Sequence, residues 1–232
     1  MSCLNNIPYG TGEPQEPTPV VEPAELVAPS NNIPQSTREE VMNLFPVDYR
    51  TVSEDLAHIP SFYKSRIDRY RTITQDTIDR FFQNAGFFAK AFKEKEVPIA
   101  IIALSIVESN VKNTATSQVG AAGVWQFMPA TAKEQGLVVN GSVDERRDTF
   151  KATYAAAKLL KGYYKINKVR PNWLLTISSY NYGPGNVQKY YNSNKTTWEI
   201  IESFGSEEAR NYVAAWVSTC MQLGLISGIN FI

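Results

Sequence analysis

An all-α fold is the expectation for this chain of 232 residues. Three observations carry it. Helix start and stop signals recur at short intervals from about residue 61 onward. Strand alternation is hard to find beyond a short piece at Leu137 to Val139. Hydrophobic residues make up 43% of the total, which suffices for one sizeable core rather than two large domains. The expected architecture is a compact multi-helix domain over residues 61–232, preceded by an acidic, Pro-rich extended arm or linker over residues 1–60.

The arm is set apart by composition. Through residue 60 there are two basic residues against nine acidic ones, a net of −7, and nine of the 13 prolines. The body then carries 21 basic against 14 acidic residues, a net of +7. Between Pro8 and Pro34 no apolar periodicity offers a face to bury.

In the body, Thr72 or Thr74 precedes Ile78, Phe81, Phe82 and Ala85, a capped helical stripe that runs to about Lys93. Pro98 at a first helical position opens the most apolar run, Val97 to Ser109, and Pro129 opens Ala130 to Gln135, which Gly136 ends. Asp148 caps a run through Tyr154, Ala155, Ala156, Leu159 and Leu160. Further helices fit Pro171 to Tyr182, Pro184 to Tyr191, Thr197 to Phe204 with a Thr196–Glu199 capping box, and Ser206 to Leu223 before Gly224.

Several function classes recede on composition. The two cysteines, Cys3 and Cys220, form no CxxC pair, and a single histidine, His58, rules out a site built from several imidazoles, so neither a metal nor another cofactor is expected. No apolar run is long enough to span a bilayer, and no export signal is legible. Cys3 reads as an incidental cysteine, with a lipid-modified first residue as the alternative. The basic residues are scattered rather than gathered in a stripe, which argues against nucleic acid.

The candidate chemistry centres on Glu108, a carboxylate closing the oily run. Burial penalises its ionised form, so it would hold a proton near neutral pH, as a general acid must. Three loops are unusual for connectors: Ser109 to Gly123, rich in Ser, Thr, Asn and Gly; Gly123-Val124-Trp125-Gln126-Phe127-Met128-Pro129; and Ser179-Tyr180-Asn181-Tyr182-Gly183-Pro184-Gly185. Aromatic rings beside amides suit sugars, with their apolar C–H faces and N-acetyl groups; taken singly, each loop is equally well an aromatic core contact beside a turn. Asp144, Glu145 and Asp148 are interleaved with Arg146 and Arg147 and read as a structural ion-pair and capping network.

In this order, Glu108-Ser109, the run Ser117 to Ala132, the run Val143 to Asp148 and the run Ser179 to Val187 resemble the family 1 lytic transglycosylases, most closely the membrane-bound lytic transglycosylase D branch. The resemblance covers about residues 65 to 205. It implies a goose-lysozyme-like helical fold and peptidoglycan glycan strands as substrate. It implies Glu108 as the sole catalytic acid and base, with Ser109, Ser117, Gln126, Tyr180 and Asn181 at substrate-binding positions and Tyr180 orienting the carboxyl; Phe127 and Tyr182, aromatic residues of the same loops, are expected to bind substrate beside them. Val124, Ser179, Tyr182 and Thr149 depart from the usual pattern, and Tyr182 adds a ring near the groove.

Ordinary glycosidases use two carboxylates. With no second acid in the three loops, the expected reaction cleaves the bond between N-acetylmuramic acid and N-acetylglucosamine by internal attack of the C6 hydroxyl, leaving 1,6-anhydromuramic ends. The alternatives are a hydrolytic lysozyme of the same fold, or a mainly structural part of a phage tail or secretion machine that the arm docks. The expected place of action is the periplasm or cell wall, reached by virion delivery or as a processed or lipoprotein form.

Overall fold

The computed structural model describes Leu56, residues 58–70, 72–166 and 172–226, and Ile229 and Phe231. The arm falls almost wholly outside these residues. Leu56 and Ile59, at its expected end, are buried in the core of the body, and Ile59 pairs with Phe231.

The fold is all-α, as expected, and no strand ladder forms among the described residues; Val139 makes only an isolated bridge to Asp144. The α-helices are α1 (Ser61–Ile67), α2 (Gln75–Glu94), α3 (Leu104–Ser109), α4 (Pro129–Glu134), α5 (Thr149–Ile166), α6 (Trp173–Tyr182), α7 (Pro184–Tyr190), α8 (Thr197–Glu202) and α9 (Glu207–Leu223). Thr74, not Thr72, caps α2, its side chain accepting from the Thr77 N–H. Phe81, Phe82, Ala85, Phe88 and Phe92 then follow the stripe into the core, each phenyl ring contributing about 1.5–3 kcal/mol by leaving water. Asp148 caps α5 through the Lys151 N–H, and the Thr196–Glu199 capping box forms.

The apolar run differs from expectation. Pro98 sits in an extended conformation before the helix rather than inside it, and Ile99–Ala103 winds as a 3₁₀ segment before α3 begins. Three β-branched isoleucines crowd this stretch and lower its preference for a regular α-helix. The tighter winding also sends the Leu104 N–H to the Ile101 carbonyl. The Ala100 carbonyl also accepts from side chains of α9: Trp216 Nε1 donates at 3.2 Å and the Cys220 thiol at 3.6 Å.

α6 is the central post. Trp173 to Tyr180 are all buried, so the helix shows no polar face, and its hydroxyls turn back onto its own backbone: Thr176 to the Asn172 carbonyl, Ser178 to Leu174 and Ser179 to Leu175. Pro171 lies outside the described residues, and Asn172 caps the helix by accepting from the Leu175 N–H. α5, α7, α8 and α9 pack around α6, and α9 also covers α1, α3 and the 3₁₀ segment. α3 therefore presents its C-terminal end between α9 and the loop that follows it.

Candidate active site

α3 ends in a Schellman turn, with the Asn110 N–H bonded to the Ile106 carbonyl and the Val111 N–H to Ser105. Both Asn110 (φ 52°) and Val111 (φ 62°) take the left-handed conformation, which is rare for a β-branched residue such as Val111. Gln126, across the site, does the same at φ 46°. Strained backbone of this kind costs roughly 1–3 kcal/mol per residue and persists where surrounding contacts over-determine it.

Those contacts form a closed circuit. Ser109 Oγ donates to the Val124 carbonyl at 2.9 Å, joining the end of α3 to the loop of Gln126. The Tyr180 hydroxyl donates to the Trp125 carbonyl at 2.8 Å, joining that loop to α6. Asn181 Nδ2 donates to Glu208 Oε1 at 3.0 Å, joining α6 to the first turn of α9. One turn further along α9, the Tyr212 hydroxyl donates to Glu108 Oε1 and closes the ring. The three unusual loops and the apolar run are thus parts of one site.

Glu108 is partly open to solvent at the end of α3, while protein atoms crowd its carboxyl. That desolvation pushes its pKa up to about 7; the Tyr212 hydrogen bond opposes the rise, and the Glu208 carboxylate adds to it. The group is poised to give and take a proton near neutral pH.

The loop from residue 115 to 127 is built as a rigid rim. Ala122 and Phe127 exchange both backbone hydrogen bonds at 3.1 Å, and the Gln126 N–H and side-chain amide both reach the Gly123 carbonyl. Gly123, at φ 80°, lies so close to α5's approach that a Cβ there would stand 1.8 Å from the Arg146 carbonyl oxygen. Beneath the rim, buried Arg146 donates to the Gly120 carbonyl at 2.7 Å and the Phe127 carbonyl at 3.0 Å, held by two 2.8 Å bonds to Asp144. Arg146 in turn holds the Asp144 carboxyl below the usual carboxylate range. Arg147 reaches the Thr114 carbonyl and Thr116 Oγ1, and Glu145 pairs with Lys151. Asp144 and Glu145 are ion-paired supports, and Asp148 is a cap.

The other sequence-derived site residues divide by exposure. Gln126, Asn181, Tyr182 and Ser117 retain accessible surface. Ser117 Oγ accepts from the Ala121 N–H, and the Tyr182 ring lies tilted against Phe204 and Tyr190, with centroids 5.3 Å and 6.3 Å away. Ser109 and Phe127 are 3% and 1% exposed, and Tyr180 8%, so they hold the walls and leave little surface for a ligand. Sequence reasoning missed Tyr212 and Glu208. Among the described residues, no three His, Cys, Asp or Glu side chains gather where a metal ion could sit, and no helix is long and apolar enough to cross a membrane.

Residues 86–202, half of the chain, match the family model of the transglycosylase SLT domain. The chain belongs to this family. The resemblance read from the motifs is borne out. Over 154 residues the SLT chain is 34% identical to membrane-bound lytic murein transglycosylase D of Escherichia coli K12, covering 65% of this chain and 33% of that protein. It is 33% identical over 130 residues to peptidoglycan transglycosylase gp16 of Escherichia phage T7, covering 55% of this chain and 10% of the phage protein. The matched region thus spans a third or less of these relatives. Among solved structures, an inactive mutant of the lytic transglycosylase Slt of Pseudomonas aeruginosa superposes with a TM-score of 0.51 at 23% identity, covering 60% of this chain and 23% of that one. That likeness concerns the fold.

Proposed function

We propose that this SLT domain is a peptidoglycan lytic transglycosylase that cuts the β-1,4 bond between N-acetylmuramic acid and N-acetylglucosamine and leaves 1,6-anhydromuramic ends. The observation that carries it is the Glu108 carboxyl, crowded by protein, hydrogen-bonded by Tyr212 and raised to about 7, at the centre of a circuit of sugar-compatible loops. Family membership and the two relatives named for murein and peptidoglycan support the substrate class.

In this reading protonated Glu108 gives its proton to the glycosidic oxygen as the bond to the muramic C1 breaks. The muramic N-acetyl oxygen stabilises the oxocarbenium-like centre, the role a second carboxylate plays in ordinary glycosidases. Glu108, now ionised and steadied by the Tyr212 hydroxyl, accepts the proton of the C6 hydroxyl as O6 closes on C1. Gln126, Asn181, Ser117 and Tyr182 present polar and aromatic surface to the glycan, while Ser109, Phe127 and Tyr180 hold the walls that carry them. No cofactor enters the scheme.

One observation favours hydrolysis as a second reading: Glu208, absent from the three loops, acts electrostatically on Glu108 and is a carboxylate that a water-activating mechanism would use. Incubating sacculi with the protein and with its Glu108→Gln variant tests both. Anhydro muropeptides from the wild type alone support the proposal; reducing ends support hydrolysis, and equal release by both proteins removes Glu108 as the acid.

The biological setting belongs to the same proposal. The phage relative and the acidic, Pro-rich sequence before residue 60 fit a cell-wall-cutting domain carried by a virion or secretion machine and docked through that segment. Co-purification of the protein with such particles supports this setting, and recovery confined to the cell envelope contradicts it.

A further inference from the structure

Glu208 and Tyr212 are four residues apart on α9 and leave the same face of the helix. Tyr212 holds the Glu108 carboxyl directly, whereas Glu208 is exposed and tethered through Oε1 by the Asn181 amide, 3.0 Å away. This fixes a carboxylate one helical turn from the residue that holds Glu108, near enough to act electrostatically on it, and supplied by an element far from it in sequence. Resting on the reading of Glu108 as the acid and base, we propose that Glu208 is a positioning residue whose charge keeps the proton on Glu108 until the glycosidic oxygen takes it. Glu208 is then neither the base for a water molecule nor a substrate ligand.

The two guanidinium groups around this end of α3 are committed elsewhere. Arg80 of α2 bonds to the Asn110 carbonyl at 3.0 Å and pairs with Asp76. Arg147 is taken by the carbonyls of Thr114 and Ala115 and by Thr116 Oγ1. Lys112 follows α3 on the loop, its backbone N–H on Ser109 Oγ, and the Tyr180 hydroxyl faces the Trp125 carbonyl. Tyr212 opposes Glu208 by favouring the carboxylate, so the two residues of α9 bracket the proton affinity of Glu108 from opposite sides.

Glu208→Gln tests this, because a glutamine oxygen can still accept from Asn181 while the charge is lost. The basic limb of the kcat/KM profile on sacculi should move to lower pH by on the order of half a unit at low salt. The gap from wild type should shrink in ~1 M salt, where screening acts within about 3 Å. Glu208→Asp should restore the wild-type limb. Glu108-dependent release with an unshifted limb overturns the proposal alone. So does a rise in KM with an unshifted limb, which marks a substrate ligand, or a folded Glu208→Gln protein inactive at every pH, which marks a reacting group. Release that persists in Glu108→Gln overturns the reading on which it rests.

Discussion

The Tyr212 hydroxyl donates a hydrogen bond to Oε1 of Glu108 across 104 residues of sequence, fastening the first turns of α9 to the end of α3. The bond favours the carboxylate, the form in which Glu108 must wait for the C6 proton. Tyr212→Phe keeps the buried ring and removes the donor. Turnover on sacculi should fall by about 10- to 100-fold, the value of one hydrogen bond to a charged group, and the basic limb of the pH profile should move upward. An unchanged rate and limb would show that the bond has no part in the reaction.

Glu108 also sets a pH dependence of stability. Its pKa of about 7 in the folded protein exceeds the ordinary carboxyl value of about 4.5, so folding tightens its hold on the proton. The stabilisation tied to that proton is complete below pH ~4.5 and lost as pH rises through 7. Glu108→Gln carries no charge to desolvate, and by pH 8 it should exceed the wild type by about 2–3 kcal/mol relative to their difference at pH 4. Urea unfolding at the two pH values measures this, and a gap that does not change with pH contradicts it.

Gly123→Ala combines a left-handed backbone with a Cβ driven into the Arg146 carbonyl. The rim must shift, at a cost of about 2 kcal/mol or more. Thermal unfolding should show the loss, and activity should fall with it because Gln126 is held through Gly123. A variant with wild-type Tm and activity would mean that the rim is more pliable than these contacts imply.

Thr153→Val separates stability from chemistry. Trp125 is fully buried between Phe88 and Phe92, and its Nε1–H donates to Thr153 Oγ1 at 2.8 Å. Valine leaves that donor unpaired, which costs about 1–3 kcal/mol. Tm should drop while the pH profile of cleavage keeps its limbs; a shifted profile would show that the Trp125 support reaches the Glu108 carboxyl.

The parts of the site legible in the sequence are those whose physics is local. Glu108 stood out as a charge closing an apolar run, Asp148 and Thr196 as caps, and the Asp144 to Asp148 segment as interleaved opposite charges. The 3₁₀ stretch from Ile99 to Ala103 was illegible, because an apolar run behind a proline fits a regular α-helix equally well, and the α9 side chains that bond to the Ala100 carbonyl lie 116 and 120 residues away. Tyr212 and Glu208 were missed for a related reason. Glu208 reads as an acid in a first helical turn and Tyr212 as a core aromatic; their four-residue spacing was the only local signal, and it matters only once α9 is laid against α3. The reading that Glu108 stands apart from other carboxylates holds for the three loops and changes once α9 brings in Glu208.

In the proposed reaction the C6 hydroxyl, and not water, closes on C1 after Glu108 has protonated the leaving oxygen. Digestion of sacculi in ¹⁸O-labelled water, with the released muropeptides weighed, tests it most directly. The wild type should release anhydro muropeptides without label and Glu108→Gln none; reducing ends carrying ¹⁸O at C1 would mean that water, not O6, closes on C1.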